Sequence, residues 1–129
     1  MNHLDYYPFN SPGLVTQKDF VVGTLNCAII RVNAGFMGRG HYCGYVEVPV
    51  SHPLHNSGYD GVPSELHDLV NGGLTFSEDS AFGTVFGFDT AHSFNWNNPY
   101  SFEQTLADVK LLAEGLANYK HKEQLVSEE

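Results

Sequence analysis

Chemistry-bearing residues are most concentrated in the run Phe86-Gly87-Phe88-Asp89-Thr90-Ala91-His92, where a strand-like segment ends in an acid and an imidazole three residues apart. Asp89 and His92 could orient one another, bind a metal ion or act as base and acid, because a carboxylate fixes an imidazole tautomer and both groups ligate metals. The alternative is a structural role, in which Asp89 caps the turn after the strand and His92 makes one satisfied hydrogen bond. The run therefore predicts a candidate site at a strand end and leaves its chemistry open.

A second cluster is the double-glycine segment Asn71-Gly72-Gly73-Leu74-Thr75. Adjacent glycines allow positive φ angles and a backbone that approaches a ligand closely, and such loops can present N–H groups to an anion. The segment lacks both the GxGxxG pattern and the Walker lysine, so it is not a recognised phosphate-binding motif. A plain tight turn is the alternative interpretation.

Histidines supply a third set of candidates, in the loop segment His52-Pro53-Leu54-His55 and at His41 near a predicted strand start. In a Pro-bent segment these side chains need not converge, unlike the pair in a helical HExxH motif, and exposed loop histidines are the alternative. The candidate metal ligands are His41, His52, Asp89 and His92.

The few basic residues and the two cysteines complete the inventory of reactive groups. Arg39, on a glycine-rich loop, could bind a phosphate or carboxylate through bidentate hydrogen bonds, with a surface salt bridge as the alternative. No GxSxG motif is present, and neither Cys27 nor Cys43 carries a sequence signature of a nucleophile. Covalent catalysis is not predicted, and no cofactor is predicted.

Composition limits the classes of protein to consider. A chain of 129 residues with 42% hydrophobic residues is expected to form a single domain over residues 1–129. Six Lys and Arg against fifteen Asp and Glu give a formal net charge of −9, which disfavours nucleic acid binding. No basic segment followed by an apolar stretch opens the chain, and no apolar run reaches the about 18 residues of a membrane span, so we expect no membrane partner and a cytoplasmic location. Cys27 and Cys43 are expected to be buried free thiols.

Local patterns predict the elements that position these residues. Apolar and β-branched residues over 20–32 predict one strand or two, with a break at Gly23, and partial alternation over 42–50 predicts a strand joined to them by the glycine-rich loop 33–41. Residues 74–76 and 84–88 predict two more strands, with residues 77–81 as the turn between them. The stretch 50–65 is rich in Gly, Pro, Asn and Ser, which is uncommon inside a compact domain unless the loop has a function.

Helices are predicted at two places. A short helical turn is expected at 64–69, because Pro63 suits a helix entry. Ser101 and Gln104 have capping-box spacing and predict the start of a longer helix. Its apolar stripe consists of Phe102, Leu106, Val109, Leu112, Ala113 and Leu116, and Asp108, Lys110 and Glu114 are expected largely outside that stripe. Residues 1–13 are interpreted as an irregular arm and 124–129 as a frayed tail. Together the elements predict an α+β fold, a mostly antiparallel sheet with a C-terminal amphipathic helix packed on one face.

Four motifs carry a resemblance to a known family. The motifs are Gly44-Tyr45-Val46-Glu47-Val48-Pro49, His52-Pro53-Leu54, Gly72-Gly73-Leu74-Thr75-Phe76-Ser77 and Phe86-Gly87-Phe88-Asp89-Thr90-Ala91-His92. In order and spacing the chain resembles a family of small uncharacterised phage and bacterial proteins. That pattern usually has His before the double glycine, where this chain has Asn71. The resemblance implies a shared fold and a pocket formed by Tyr45, His52, Gly72, Gly73, Asp89 and His92. It also implies a phage-related setting and hence the host cell cytoplasm.

Three functions are compatible with these features. The leading hypothesis is a small-ligand-binding protein that sequesters a nucleotide-derived immune signal, with aromatic rings stacking a base and Arg39 or the glycine amides contacting phosphate. A small metal-assisted hydrolase using Asp89 and His92 is the first alternative. A protein-binding inhibitor of a host enzyme, acting through Tyr6, Tyr7 and Phe9, is the second, and a homo-oligomer is compatible with each. The predicted ligand-binding residues are Arg39, His41, Tyr45, His52, Asn71, Gly72, Gly73, Thr75, Asp89 and His92.

Overall fold

The structure, a computed structural model, describes residues 14–32, 40–90 and 98–119. The helices and strands in these ranges are β1 (Leu14–Val22), β2 (Leu25–Val32), β3 (His41–Pro49), α1 (Ser64–His67), β4 (Phe76–Ser80), β5 (Gly83–Asp89) and α2 (Phe102–Asn118). The strands form one antiparallel sheet in the order β1-β2-β3-β5-β4. The predicted α+β class is therefore confirmed, whereas the predicted arm 1–13 and tail 124–129 lie outside the described residues.

One face of the sheet, called the helix face here, packs on α2 and holds the larger apolar core. Its buried side chains include Cys27, Ile29, Val46, Phe86 and Phe88 from the strands and Val109, Leu112, Ala113 and Leu116 from α2. Gly44 lets the helix approach, because a Cβ at that position would lie 2.5 Å from both the Phe88 ring and the Val109 Cγ2 atom. The sheet face turned away from α2 is called the distal face below.

The start of α2 matches its sequence prediction. The Ser101 hydroxyl accepts the Gln104 N–H at 3.0 Å, and the Gln104 side chain accepts the Ser101 N–H at 2.9 Å, which completes a capping box. The expected placement of Asp108 outside the apolar stripe was wrong, since only 7% of this residue is exposed. Its carboxylate is tolerated there because it accepts hydrogen bonds from the Asn71 N–H and the Tyr100 hydroxyl.

The predicted turn at residues 77–81 was also wrong. These residues mostly belong to β4, which runs from Phe76 to Ser80 and pairs with β5. β4 lies at the edge of the sheet, where charged side chains such as Glu78 and Asp79 can remain exposed. The polar composition that suggested a turn is therefore that of an edge strand. At the other edge, β1 contains a bulge, because its pairing with β2 shifts register between Thr16 and Lys18.

The long stretch between β3 and β4 covers part of the helix face. It contains a short 3-10 turn, Tyr59–Gly61, and α1, which ends two residues earlier than predicted. Leu54, Val62, Leu66, Val70 and Leu74 from this stretch are buried in the same core as α2. Gly115 of α2 makes room for it, since a Cβ at that position would lie 2.7 Å from Leu66 Cδ2. Within the described ranges, no helix combines the length and apolarity needed to cross a membrane.

Both cysteines are buried free thiols, as predicted. Cys27 is paired across the sheet with Val46 and contributes to the helix face, whereas Cys43 is paired with Ile30 and Asp89. Strand alternation places Cys43 on the distal face. The two thiols are thus separated by the sheet, and a bridge between them is geometrically impossible.

Candidate functional site

The distal face carries a small apolar cluster with an aromatic ring over a glycine. Ala28, Ile30 and Val85 are buried there, with Tyr45 and Phe76 packed against them. Tyr45 lies opposite Gly87, and a Cβ at Gly87 would lie 2.5 Å from Tyr45 Cδ1. The missing side chain therefore provides the space for the Tyr45 ring, which meets the Phe76 ring edge-on at a centroid distance of 5.6 Å.

Polar side chains from three segments converge beside this ring. Asp89 ends β5 and is paired with Cys43 of β3. The Thr75 hydroxyl donates to Asp89 Oδ2 at 3.4 Å, and the Thr75 N–H is held by the Gly87 carbonyl at 2.9 Å. Tyr45 and Cys43, two residues apart on β3, share a side-chain hydrogen bond. We call Cys43, Tyr45, Thr75 and Asp89 the distal cluster.

Burial determines the protonation of two members of the distal cluster. Burial and, to a smaller extent, the nearby Asp89 carboxylate raise the pKa of the Cys43 thiol to about 12. Burial is also the largest cause of a raised Tyr45 pKa, followed by the interactions of Tyr45 with Cys43 and Asp89. Both groups are protonated at neutral pH, so they act as neutral hydrogen-bonding groups next to a carboxylate rather than as nucleophiles.

Of the predicted residues, the structure brings together Tyr45, Thr75 and Asp89. His41 lies on the same strand and, by strand alternation, on the same face, at the start of β3 opposite Val32. Arg39 and His92 lie outside the described residues. Cys43 was missed as a site residue, although its position two residues before Tyr45 on a strand was the signal for a shared face.

His52 lies elsewhere, after the opposite end of β3 from the distal cluster. Its Nδ1 accepts the Leu54 N–H at 3.0 Å, and its Nε2 lies 2.7 Å from the Leu116 carbonyl at the end of α2. The ring also stacks against Tyr119. Nδ1 is therefore used within the loop after β3, and Nε2 joins this loop to the helix.

The double glycine forms a turn with two left-handed residues, as its sequence allows. Gly72 has φ +74° and Gly73 has φ +83°. The Gly73 N–H donates to the Val70 carbonyl at 3.0 Å and the Asn71 N–H donates to Asp108 Oδ2 at 2.9 Å, so two backbone donors of the segment are engaged within the fold. The part of this motif that reaches the distal cluster is Thr75.

Two further residues near the double glycine were missed by sequence reasoning. The His67 ring packs directly on Gly73, where any Cβ would overlap it. An imidazole thus lies beside the double glycine even though Asn71 precedes it. For His67 no sequence signal exists, whereas Asp108 lies three residues after buried Thr105 and four before buried Leu112, a spacing that indicates the buried side of the helix.

No group of three His, Cys, Asp or Glu side chains suited to a metal ion occurs within residues 14–32, 40–90 and 98–119. The comparisons with known proteins supply no family. No family model, no curated protein and no solved structure matches the chain.

Proposed function

We propose that this protein binds a small polar, nucleotide-derived ligand at the distal cluster and holds it without converting it. The observation that carries the proposal is the convergence of a carboxylate, a hydroxyl and a half-buried aromatic ring from three separate segments of the chain. Binding sites commonly combine aromatic surface with a few polar groups that fix the orientation of the ligand.

The chemistry of the cluster suits the nucleoside part of such a ligand. Asp89 can accept hydrogen bonds from ribose hydroxyls or a base amino group, and charge-assisted bonds of this kind are among the stronger ones. The protonated Tyr45 hydroxyl and the exposed Thr75 hydroxyl add donors and acceptors. Arg39, which lies outside the described residues, is the candidate from the sequence for the ligand's phosphate, because a guanidinium matches phosphate geometry.

Retention without turnover is supported by the state of the reactive groups. The Cys43 thiol has its pKa raised to about 12, which leaves very little thiolate at neutral pH. The ring nitrogens of His52, one of the ligands considered for a metal-assisted hydrolase, are both hydrogen-bonded within the fold. Together with the resemblance to phage proteins, these features favour sequestration of a host immune signal over hydrolysis.

The first experiment is native mass spectrometry of freshly purified protein before and after gentle denaturation, with elemental analysis of the same sample. A co-purifying mass of nucleotide size without stoichiometric metal is expected. That ligand, or else cyclic dinucleotides and ADP-ribose derivatives, is then titrated by calorimetry. Absence of binding to every one of these compounds would refute the proposal, and stoichiometric transition metal with turnover would favour the hydrolase.

A pair of variants links binding to the distal cluster. Asp89→Asn removes the charge of the acceptor and is expected to weaken ligand binding about ten- to a hundredfold, the range for hydrogen bonds to charged groups. Glu78→Gln is the matched control, because it makes the same carboxylate-to-amide change on exposed β4. Equal affinity of both variants and the unaltered protein would place the ligand elsewhere.

A further inference from the structure

A second polar network lies on the helix face, at the opposite end of β5 from Asp89. It centres on the hydroxyl of Thr84, a residue with 0% exposure. Thr84 Oγ1 lies 2.7 Å from Asp79 Oδ1, 2.9 Å from His55 Nδ1 and 2.9 Å from the Asn56 backbone nitrogen. Asn56 has φ +67°, a left-handed conformation that is uncommon outside glycine. The loop thus adopts an uncommon backbone while two neighbouring residues contact one buried oxygen.

Counting hydrogens assigns the direction of each bond. A hydroxyl has one hydrogen and two acceptor lone pairs, and a carboxylate only accepts. The Thr84 hydrogen therefore goes to Asp79, and the Asn56 N–H occupies one lone pair of the hydroxyl oxygen. The remaining lone pair requires a donor, so His55 Nδ1 carries a hydrogen.

In His52, three residues earlier, the two ring nitrogens have the opposite roles. Its Nδ1 accepts the Leu54 N–H, so its hydrogen is on Nε2 and is donated to the Leu116 carbonyl. The same loop therefore holds one imidazole whose Nδ1 accepts a hydrogen bond and another whose Nδ1 donates one. His52 uses both nitrogens within the fold, whereas His55 Nε2 has no hydrogen-bond partner among the described residues and is not one of their buried unpaired polar atoms.

We propose that His55 is a second functional site, a hydrogen-bond-accepting imidazole whose Nε2 lone pair is presented to a small molecule that carries a hydroxyl or amino group. The hydrogen bonds from His55 to Thr84 and from Thr84 to Asp79 orient the His55 ring. A carboxylate, directly or through another group, orients the imidazoles of bases and metal ligands in the same way. The site is separate from the distal cluster and does not depend on it.

Ligand binding at this site requires no covalent change. The ligand O–H or N–H group donates a hydrogen bond to Nε2, and the Nδ1–H bond to Thr84 remains in place. No group of the network has to rotate or change its hydrogen-bond direction.

The tautomer is tested by ¹⁵N NMR of the histidine side chains near neutral pH. His55 is expected as the Nδ1–H form and His52 as the Nε2–H form. Asp79→Ala frees the Thr84 hydrogen for His55 Nδ1 and should shift His55 toward the Nε2–H form, whereas Asp79→Asn retains an acceptor oxygen and should preserve the original tautomer. Glu78→Ala is the control for removal of a neighbouring exposed carboxylate. An Nε2–H form of His55 in the unaltered protein would overturn the proposal.

Accessibility of the lone pair is tested with diethyl pyrocarbonate, which acylates unprotonated imidazole nitrogens, followed by peptide mass mapping. His55 should react about fivefold faster than His52, because His52 must first break a hydrogen bond of about 1 kcal/mol. Asp79→Ala should slow the reaction of His55 and leave that of His52 unchanged. Equal rates at the two histidines, or an inert His55, would show that Nε2 is not presented and would overturn the proposal whether or not a nucleotide binds at Asp89.

Discussion

On each face of the sheet an aromatic residue of one strand lies opposite a glycine of its partner strand, but the two strands exchange these roles between the faces. On the helix face Gly44 lies opposite Phe88, and on the distal face Tyr45 lies opposite Gly87, in adjacent rungs of the same pair of strands. Each face places an aromatic ring where the partner strand has no side chain. On the helix face the arrangement admits α2 and contributes to the main core, whereas on the distal face it seats a ring beside a partly exposed carboxylate. Gly44 therefore allows the helix to pack on the sheet, and Gly87 makes room for the Tyr45 ring of the candidate site.

The largest expected effect is that of Gly44→Ala. A Cβ at this position would lie 2.5 Å from the buried side chains of Phe88 on β5 and Val109 on α2, so the helix must shift outward. Overpacking of this kind should lower the free energy of unfolding by about 3 kcal/mol. Urea denaturation followed by circular dichroism measures it, with Gly61→Ala as the control, since that Cβ would meet only Ser57, at 3.3 Å. Similar stabilities of the two variants would contradict this account of the helix face.

His52→Ala should have the next largest effect, because it removes one hydrogen bond within the loop after β3 and one that joins this loop to the end of α2. At about 1 kcal/mol for each bond, the expected loss is about 2 kcal/mol in the free energy of unfolding. His52→Asn retains an acceptor near the position of Nδ1 and should restore part of the loss. If His52→Ala impaired ligand binding and left stability unchanged, His52 would belong to the site rather than to the fold.

Gly87→Ala should lower the free energy of unfolding less than Gly44→Ala does, and it should lower ligand affinity more. Its Cβ would lie 2.5 Å from Tyr45 Cδ1, but the half-buried Tyr45 ring can tilt away, so a loss of about 1 kcal/mol is expected. The tilt moves the ring relative to Asp89, and ligand affinity should fall in calorimetric titration. Full affinity with a displaced ring would remove Tyr45 from the proposed site.

The smallest expected effect is on the reactivity of the cysteines, one of which lies on each face of the sheet. Asp89 raises the Cys43 pKa, so Asp89→Asn should lower it and increase the thiolate fraction at a given pH below about 12. Labelling of Cys43 by a disulfide reagent at pH 9 should accelerate about two- to threefold. Cys27, on the helix face, has no contribution from Asp89 and should react at an unchanged rate, which makes it the internal control. Equal acceleration at both thiols would indicate loosening of the whole sheet.

Elements with strong local signals were predictable from sequence. The capping box at Ser101 and the apolar stripe of α2 act within one or two helical turns, and tertiary contacts only reinforce them. The antiparallel pair of β2 and β3 was also predictable, from the apolar and β-branched residues of β2 and the partial apolar–polar alternation of β3. The strand predicted at residues 74–76 was placed too early, because the polar residues of β4 are typical of both a turn and an edge strand, and the position of an edge depends on strand order.

The site was predictable only in part, for a related reason. The end of β5 pointed to Asp89 and the resemblance implied Tyr45, and the structure places both on one face. The tautomers of His52 and His55 could not be predicted, because they depend on Leu116 and Thr84, which lie far away in sequence. Asp108 was misplaced although its spacing in the helix indicates the buried side, because a carboxylate is tolerated there only with hydrogen-bond partners, and these lie before the helix.

The two edges of the sheet have a consequence for the protein at high concentration. The bulge in β1 kinks the backbone that another strand would have to follow, and β4 presents Glu78 and Asp79 on a chain of net charge −9. An incoming β4 of a second molecule would meet like charges at close range. Growth of the sheet from one molecule into the next, the first step toward fibrils, is thereby opposed at both of its ends.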